Sequence, residues 1–323
     1  MEANPPKSHA KVTTHGIALP RIGLLGNPSD GYGGRCLAFT FNAFMARVKI
    51  TLKPDQETTI DGPVGLQNLV RAGLAEATSI GLKFPRNTGA HIGIETDIPR
   101  QVGFSGSSAV IIAFLRAFAA LNERTIDDGA LAACAWRAEA QGLGISCGPL
   151  DRAVQTLEGL AYFDFEHDLP TLKAESISPD RMPAVFLAWD PRGGESSGDV
   201  HALVQERAAR GEQEVLDAMA AIARLADSGR TLLTDSLAVD RLIPELADLF
   251  DQNFELRASV FPITTRDQGL IDTARGHGAG AKLAGSGGAI VGIPRDANKL
   301  SPLKRAYESQ GFRYLVPQIG SKT

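Results

Sequence analysis

Residues 99–109 read Pro-Arg-Gln-Val-Gly-Phe-Ser-Gly-Ser-Ser-Ala, and this stretch decides the fold. Apolar residues at even spacing before it, Ile92, Ile94 and Ile98, predict a strand. The apolar run 109–121 after it has no glycine or proline and predicts a helix. Glycines let a ligand approach the backbone, while the unpaired N–H groups and dipole of a helix start attract anions. The order strand, polar loop, helix therefore predicts a phosphate-binding loop.

The same serines have a simpler interpretation, which is helix capping. Ser105, Ser107 and Ser108 all lie near the predicted helix start, and serine is a preferred N-cap residue. One serine would suffice for a cap, so three of them favour a ligand. Capping alone stays open at this point.

Length and composition indicate an ordinary globular protein. The 323 residues suggest two domains at ~150 residues each. Hydrophobic residues make up 43% and charged residues 22%, which is typical of globular chains with a sizeable core. The net charge of −4 and the low aromatic content of 6% argue against nucleic-acid binding, since neither a positive field nor stacking platforms are indicated.

The cysteines and the first residues bear on location. Three widely spaced cysteines without a CxxC pair favour a reducing compartment over a disulfide framework or a zinc site. Residues 1–11 are polar and lack the apolar core of a signal peptide, and no apolar run approaches the ~18 residues of a membrane span. We therefore expect a cytoplasmic protein that binds no membrane.

Hydrophobic periodicity predicts both strands and helices along the chain, and hence an α+β fold. Strands are predicted over 17–25, 37–41, 46–52, 160–165, 184–189, 281–284, 289–293 and 312–316. Helices are predicted over 66–80, 127–141, 152–157, 201–210, 212–227, 240–260, 267–277 and 296–310. The polar stretch 171–183 predicts a boundary between an N-terminal domain, 1–182, and a C-terminal domain, 183–323. Residues 190–199 are rich in glycine and serine and are a candidate lid.

Three glycine-rich loops stand out, at 26–34, 103–108 and 285–288. None has the GxxxxGK pattern of a Walker P-loop, and a Gly-Ser-Gly-Gly segment alone is more typical of a hairpin turn. Together, in this order and at this separation, they resemble the three signature motifs of the GHMP kinase superfamily. The forms GNPSD, IPRQVGFSGSSA and KLAGSGGA most resemble those of glucuronokinases, which are sugar-acid 1-kinases. The similarity runs through most of the chain.

This resemblance implies a two-domain GHMP kinase fold with the active site in the cleft between the domains. It also implies ATP-dependent phosphorylation of a small-molecule hydroxyl with Mg²⁺. The residues that the resemblance assigns to ATP are Gly103, Ser105, Gly106, Ser107, Ser108, Gly285, Ser286 and Gly287. It assigns Ser108 and Glu139 to the metal, although the spacing from Glu139 to the catalytic aspartate is slightly longer than in mevalonate kinases.

The resemblance also implies a catalytic aspartate in a Gly-x-x-Asp turn, which matches Asp151. Many family members carry a lysine in the first motif, and Arg21 stands nearest that position here. Arginine stays protonated and cannot act as a base, but it can bridge a carboxylate or a phosphate. The simpler interpretations stay open: a helix cap for Asp151, a surface position for Arg21 and a solvated helix position for Glu139.

Substrate choice would depend on the first loop, where Asn27, Ser29 and Asp30 can hydrogen-bond sugar hydroxyls. A uronate carboxylate would need a cation, and the candidates are Arg21, Arg35, Arg100 and Arg152, with Arg152 placed in the substrate site. The leading hypothesis is a 1-kinase for D-glucuronate or a related uronate or hexose. Its alternatives are a kinase for a mevalonate-like or heptose-like alcohol and a non-catalytic sensor of nucleotide or sugar. We expect a monomer or a homodimer.

Overall fold

Three four-stranded sheets and the helices packed on them form the part of the chain that the structure, a computed structural model, describes: residues 12–193, 198–235 and 238–320. The strands are β1 (Thr13–Ala18), β2 (Arg21–Leu25), β3 (Arg35–Thr40), β4 (Ala46–Pro54), β5 (Thr59–Asp61), β6 (Thr88–Thr96), β7 (Leu160–Asp164), β8 (Lys173–Ile177), β9 (Phe186–Trp189), β10 (Ala279–Leu283), β11 (Ala289–Pro294) and β12 (Arg313–Leu315). The helices are α1 (Val64–Ser79), α2 (Gly106–Leu121), α3 (Asp128–Arg137), α4 (Leu150–Leu157), α5 (Gly198–Ala209), α6 (Gln213–Thr234), α7 (Val239–Ala258), α8 (Thr265–Gly276) and α9 (Leu300–Ser309).

The strand orders are β1-β4-β6-β5, β2-β3-β7-β8 and β10-β11-β9-β12. All neighbouring strands pair antiparallel except β5 and β6, which are parallel. In β4 the apolar Val48 and Ile50 are buried while Arg47 and Lys49 are exposed, as the alternation predicts for a strand with one wet face. The predicted α+β class is confirmed, and each predicted helix has a counterpart.

Helix α2 is the central helix, and it carries the second glycine-rich loop at its start. It is apolar on nearly every side, so burial against sheet and helices is the only way to remove this surface from water. Strand β1 lies directly on it: a Cβ on Gly16 would stand 1.9 Å from the Ala113 carbonyl oxygen. The backbone contact fixes the height of α2 above the sheet and hence the position of its first turn.

Two sequence predictions about strands are wrong. The single strand predicted over 17–25 is two strands, because the chain passes from the first sheet to the second at Leu19 and Pro20. Proline has no N–H to donate to a ladder, which suits such a crossing point. No strand is predicted within the polar stretch 171–183, yet it contains the edge strand β8, which is mostly exposed and so lacks an apolar signal.

The hydrophobic core crosses the predicted domain boundary. Its largest cluster joins Leu25 and Leu37 with Ala226, Phe250 and Val291, which lie on both sides of residue 182. The boundary itself stays a prediction. Among the described residues, no helix is both long and apolar enough to cross a membrane.

We expect Gly16→Ala to destabilise the protein by about 1–3 kcal/mol, because the new methyl group would overlap the α2 backbone. Urea unfolding followed by circular dichroism measures this change. The control is Ile17→Thr, since Ile17 is the next residue of β1 and its side chain is 45% exposed. Equal destabilisation by both variants would contradict the close approach of β1 to α2.

Candidate active site

The carboxylate of Asp151 lies where the glycine-rich loops meet. Asp151 is in the first turn of α4, and its side chain is 24% exposed, so a ligand can reach it. Its Oδ1 accepts a hydrogen bond of 2.7 Å from Arg21 Nε, and its Oδ2 accepts one of 2.7 Å from Ser105 Oγ. Pro149, and not Asp151, is the N-cap of α4, so capping does not explain this aspartate.

The pKa of Asp151 lies below its ordinary value. Burial alone raises this pKa, but the charges of Arg21 and Arg152 and the hydrogen bond from Ser105 outweigh burial. The carboxylate is therefore ionised at neutral pH. An ionised and oriented carboxylate can align a hydroxyl group and accept its proton.

Arg21 joins the second and third glycine-rich loops to this carboxylate. Its side chain is only 8% exposed, so the surface interpretation is wrong. Besides Asp151, its Nη1 donates to the carbonyl oxygens of Gly103 at 2.8 Å and Ala284 at 3.0 Å. One guanidinium thus links the start of β2, the second loop, the third loop and α4.

The second and third loops touch through backbone. Gly103 has φ +77°, and a Cβ on Gly285 would lie 2.4 Å from the Gly103 carbonyl oxygen. Only glycine fits such an approach. The third loop also connects the antiparallel strands β10 and β11, so its interpretation as a hairpin turn is correct but incomplete.

Ser105 is not a helix cap. It is the residue before α2 and has left-handed backbone angles of φ 58° and ψ 47°, but its side chain caps no N–H group. Its hydroxyl donates to Asp151 instead. Ser107 is exposed and Ser108 is fully buried, so the three serines occupy three different environments.

Ser108 is held by Gln155, a residue that sequence reasoning missed. The Ser108 hydroxyl donates to Gln155 Oε1 at 2.6 Å, and Gln155 Nε2 lies 2.9 Å from the Leu19 carbonyl oxygen and 3.0 Å from that of Ser105. Gln155 is fully buried, one helical turn after Asp151. It therefore fastens α4 to the second loop. Its position among other polar residues of this short helix gave no signal.

Glu139 is buried rather than solvated, with 1% of its side chain exposed. It lies in a π-helical turn, residues 138–142, which follows α3. Such turns are frequent at functional sites. Oε2 accepts two hydrogen bonds from Arg152, which shields it from solvent.

The other oxygen, Glu139 Oε1, is buried and has no hydrogen-bond partner among the described residues. Such an oxygen has the hard-ligand chemistry that Mg²⁺ prefers, and a cation that keeps most of its waters needs few protein ligands. No cluster of three or more metal-ligating side chains occurs among the described residues. The site therefore fits a magnesium ion held mainly by water and phosphate.

The first loop is anchored from inside. Asn27 Oδ1 accepts from the buried ammonium of Lys282 at 2.7 Å, and the Ser29 hydroxyl donates to the Arg35 carbonyl oxygen at 3.2 Å. Both side chains are buried. We therefore expect Asn27 and Ser29 to shape the loop rather than to touch a substrate, contrary to the sequence interpretation.

Asp30, in the same loop, faces the start of α4. Its Oδ2 accepts from the Leu150 N–H at 3.1 Å, and a Cβ on Gly148 would lie 2.1 Å from that oxygen. Burial, together with the charge of Asp151, raises the pKa of Asp30 to about 6. Asp30 and Asp151 thus form an acidic pair with separated pKa values, beside a helix N-terminus.

The four candidate cations for a carboxylate differ in their surroundings. Arg21 binds Asp151, Arg152 binds Glu139, and Arg35 Nε donates to Asp227 at 2.8 Å. Arg100 is exposed. Arg152 is 3% exposed, and its Nη1 also donates to the Gly148 carbonyl oxygen at 2.9 Å. Three of the four are therefore already committed to protein oxygens.

Helix α5 adds two side chains that the sequence analysis did not select. Gln205 Oε1 accepts from the Ser146 hydroxyl at 2.6 Å, in the segment that leads to Asp151. Burial, then the charge of Arg257, lowers the pKa of His201 to about 4, and the charges of Asp151 and Arg21 also act on it. His201 is therefore a neutral ring near the carboxylate. Of the candidate lid, Asp190 is buried and paired with Arg192 and Arg266, while residues 194–197 lie outside the described residues.

Known proteins resemble the chain both in sequence and in fold. The family model named GHMP kinases N terminal domain matches residues 68–159. Probable glucuronokinase 2 of Arabidopsis thaliana is 31% identical, over 91% of this chain and 88% of that protein. Glucuronokinase 1 of the same plant is 29% identical, over 91% and 89%. The solved galactokinase of Lactococcus lactis, complexed with galactose, has a TM-score of 0.79 at 15% identity, over 96% and 94% of the two chains, and shows the shared fold.

We expect Asp30→Asn to stabilise the protein at pH 7.5 by about 1–3 kcal/mol. The folded protein keeps the Asp30 proton to about pH 6, whereas the unfolded chain releases it near 3.8. Raising the pH through this window therefore lowers the free energy of unfolding of the wild type. Asparagine does not ionise, so the variant avoids this loss of stability. The gain should shrink as the pH falls from 7.5 to about 4.5.

Urea unfolding of wild type and variant at several pH values tests this expectation. Asp180→Asn is the control, because Asp180 is exposed. A loss of stability in Asp30→Asn at pH 7.5, with Asp180→Asn unchanged, would contradict the raised pKa.

Proposed function

This chain belongs to the GHMP kinase family, whose members are ATP-dependent phosphotransferases that act on an alcohol group, and we propose that it is a sugar 1-kinase. The γ-phosphoryl group of ATP would pass to the anomeric hydroxyl of D-glucuronate or a related uronate or hexose. Similarity to the two plant glucuronokinases over 91% of the chain supports this acceptor class.

The observation that carries the proposal is the setting of Asp151. Its ionised carboxylate is partly exposed, and Arg21 and Ser105 hold both of its oxygens. In phosphoryl transfer, catalysis consists mainly of positioning and charge stabilisation. Asp151 would orient the acceptor hydroxyl and take its proton late in the reaction. Arg21 cannot accept a proton, so its role is to fix Asp151 and to contribute positive charge.

The two touching glycine loops would bind the phosphates of ATP. The residues we assign to the nucleotide are Gly103, Ser105, Gly106, Ser107, Ser108, Gly285, Ser286 and Gly287. Ser108 and Glu139 Oε1 would hold Mg²⁺, which neutralises phosphate charge when bound. Because Ser108 donates its proton to Gln155, its lone pairs are free to face a cation.

For the acceptor we assign Asp30 and Arg152, with Asn27 and Ser29 fixing the loop behind them. Asp30 can bind a sugar hydroxyl, and Arg152 lies 3.8 Å from Asp151 Oδ2, so its charge reaches the acceptor site. A mevalonate-like or heptose-like acceptor and a non-catalytic sensor are the alternatives. The oriented, ionised Asp151 favours an enzyme over a sensor.

A substrate panel tests the acceptor class. ADP release would be measured with D-glucuronate, D-galacturonate, D-glucose, D-galactose and mevalonate, and ³¹P NMR would identify the phosphorylated hydroxyl. We expect the highest kcat/KM with a uronate and a 1-phosphate product. Preference for mevalonate would contradict the proposed acceptor, and tight ATP binding without any turnover would indicate a sensor.

We expect Asp151→Asn to lower kcat by at least about 100-fold, because the amide cannot accept the proton of the acceptor. The dissociation constant of ATP should change little, since the side chain faces the acceptor. Steady-state kinetics and calorimetry measure the two quantities. Asp180→Asn is the control, because Asp180 is an exposed carboxylate outside the glycine-rich loops. Unchanged turnover in Asp151→Asn would remove this carboxylate from the mechanism.

A further inference from the structure

Arg257, near the end of α7, is a buried arginine that touches the third glycine loop. It is 4% exposed, and its guanidinium carbon lies 4.9 Å from the centroid of the Phe261 ring. Its Nη1 donates to the Gly285 carbonyl oxygen at 3.1 Å, and its Nη2 donates to that of Ser286 at 3.1 Å. The guanidinium therefore grips two consecutive peptide groups of the loop.

Arg257 forms no close ion pair in the described part of the protein, although the charges of Asp267 and Asp30 act on it from a greater distance. Within residues 12–193, 201–235 and 238–320, no carboxylate forms an ion pair with it, and its Nε has no hydrogen-bond partner. Burial lowers its pKa to about 10 although the charge of Asp267 raises it, and the charge of Arg21 acts in the same direction as burial. A buried, unpaired charge is costly, so a group of this kind indicates an anion supplied from outside the chain.

The two hydrogen bonds from Arg257 also set the direction of the N–H groups of the third loop. Arg21 Nη1 takes the Ala284 carbonyl, so three consecutive carbonyls, those of residues 284–286, face guanidinium groups. In a trans peptide the N–H of the next residue points opposite to the carbonyl. The N–H groups of residues 285–287 therefore point away from the arginines.

These three N–H groups have no acceptor among the described residues, whereas the next one, of Gly288, donates to Asp267 Oδ1 at 2.9 Å. Consecutive free N–H groups on one side of a turn form a concave anion site. The second glycine loop, which precedes α2, lies against this turn, since a Cβ on Gly103 would stand 3.0 Å from the Gly287 carbonyl oxygen. An anion bound here would contact both loops.

We propose that Arg257 is a positioning residue for a nucleotide phosphate, because with Arg21 it turns the N–H groups of residues 285–287 toward one anion. The positive charge of Arg257 lies on the carbonyl side of the loop, opposite the N–H groups, and attracts the same anion. The identification of that anion as a nucleotide phosphate rests on the proposed function. An acceptor carboxylate has similar chemistry, and the experiment separates the two.

The test is Arg257→Met, with calorimetric measurement of the dissociation constants of AMP, ADP and a non-hydrolysable ATP analogue, without acceptor. The loss of affinity should grow with the number of phosphates and reach about 10- to 100-fold for the ATP analogue. Arg257→Lys keeps the charge but lacks the rigid planar fork that fixes two neighbouring carbonyls in one orientation, so an intermediate loss is expected. This variant also serves if the methionine variant does not fold.

Arg275→Met is the matched control. Arg275 lies on α8, stacks on Phe254 at 5.1 Å and pairs with Asp251 and Glu255, away from the glycine loops. Its nucleotide affinities should equal those of the wild type. Thermal unfolding of all variants, followed by circular dichroism, establishes that each binding measurement is made on folded protein.

Two results would overturn the proposal. The first is a folded Arg257 variant whose affinity for the ATP analogue is unchanged or falls no more than that for AMP. The second is an unchanged nucleotide affinity with a raised KM for uronates but not for neutral sugars, which would assign Arg257 to the acceptor carboxylate. The wild type could phosphorylate no sugar while Arg257→Met still loses nucleotide affinity in proportion to the number of phosphates. In that case the proposed function fails and this inference stands.

Discussion

The contact between Arg21 and Asp151 is the interaction on which the rest of the site depends. A buried guanidinium has five N–H donors and must place them on oxygen atoms. Arg21 places them on one carboxylate and on carbonyls of the second and third loops. A guanidinium in this position does three things at once: it keeps Asp151 ionised, fixes its direction and holds the two loops at a constant separation.

Glycine makes that arrangement sterically possible. Backbone meets backbone between Gly103 and Gly285, and again where Gly16 meets α2. Each contact removes the space that any side chain would need. The rigid framework thus comes from close-packed peptide groups, and the charged side chains are set into it. Lys282 is one such side chain: among the described residues its Nζ donates to three neutral oxygens, of Gly23, Asn27 and Leu283, and to no carboxylate. Burial, then the charge of Arg257, lowers the pKa of Lys282 well below its ordinary value.

The sequence predicted the helices and most strands because their apolar periodicity is strong. It failed at β8, whose exposed residues carry no such pattern, and at the crossing between β1 and β2, where two apolar strands adjoin. For the site, motif resemblance selected Asp151, Arg21 and Ser105, which the structure brings together. The sequence analysis did not select Gln155 and Arg257, because a single polar residue in a helix gives no signal until its partners, distant in sequence, are known. The burial of Asn27 and Ser29 was equally invisible, since loop composition does not show which side chains turn inward.

The hydrogen bonds of the Arg21 side chain connect distant parts of the polypeptide, from β2 to the carbonyl of Ala284, 263 positions later. During synthesis, the segment that contains Asp151 leaves the ribosome long before the third loop does. The nascent chain therefore holds an arginine and an aspartate whose remaining partners have yet to be made. Completion of the catalytic centre must await the final segments, so chains cut short before residue 284 lack a finished centre even when their first sheets have formed.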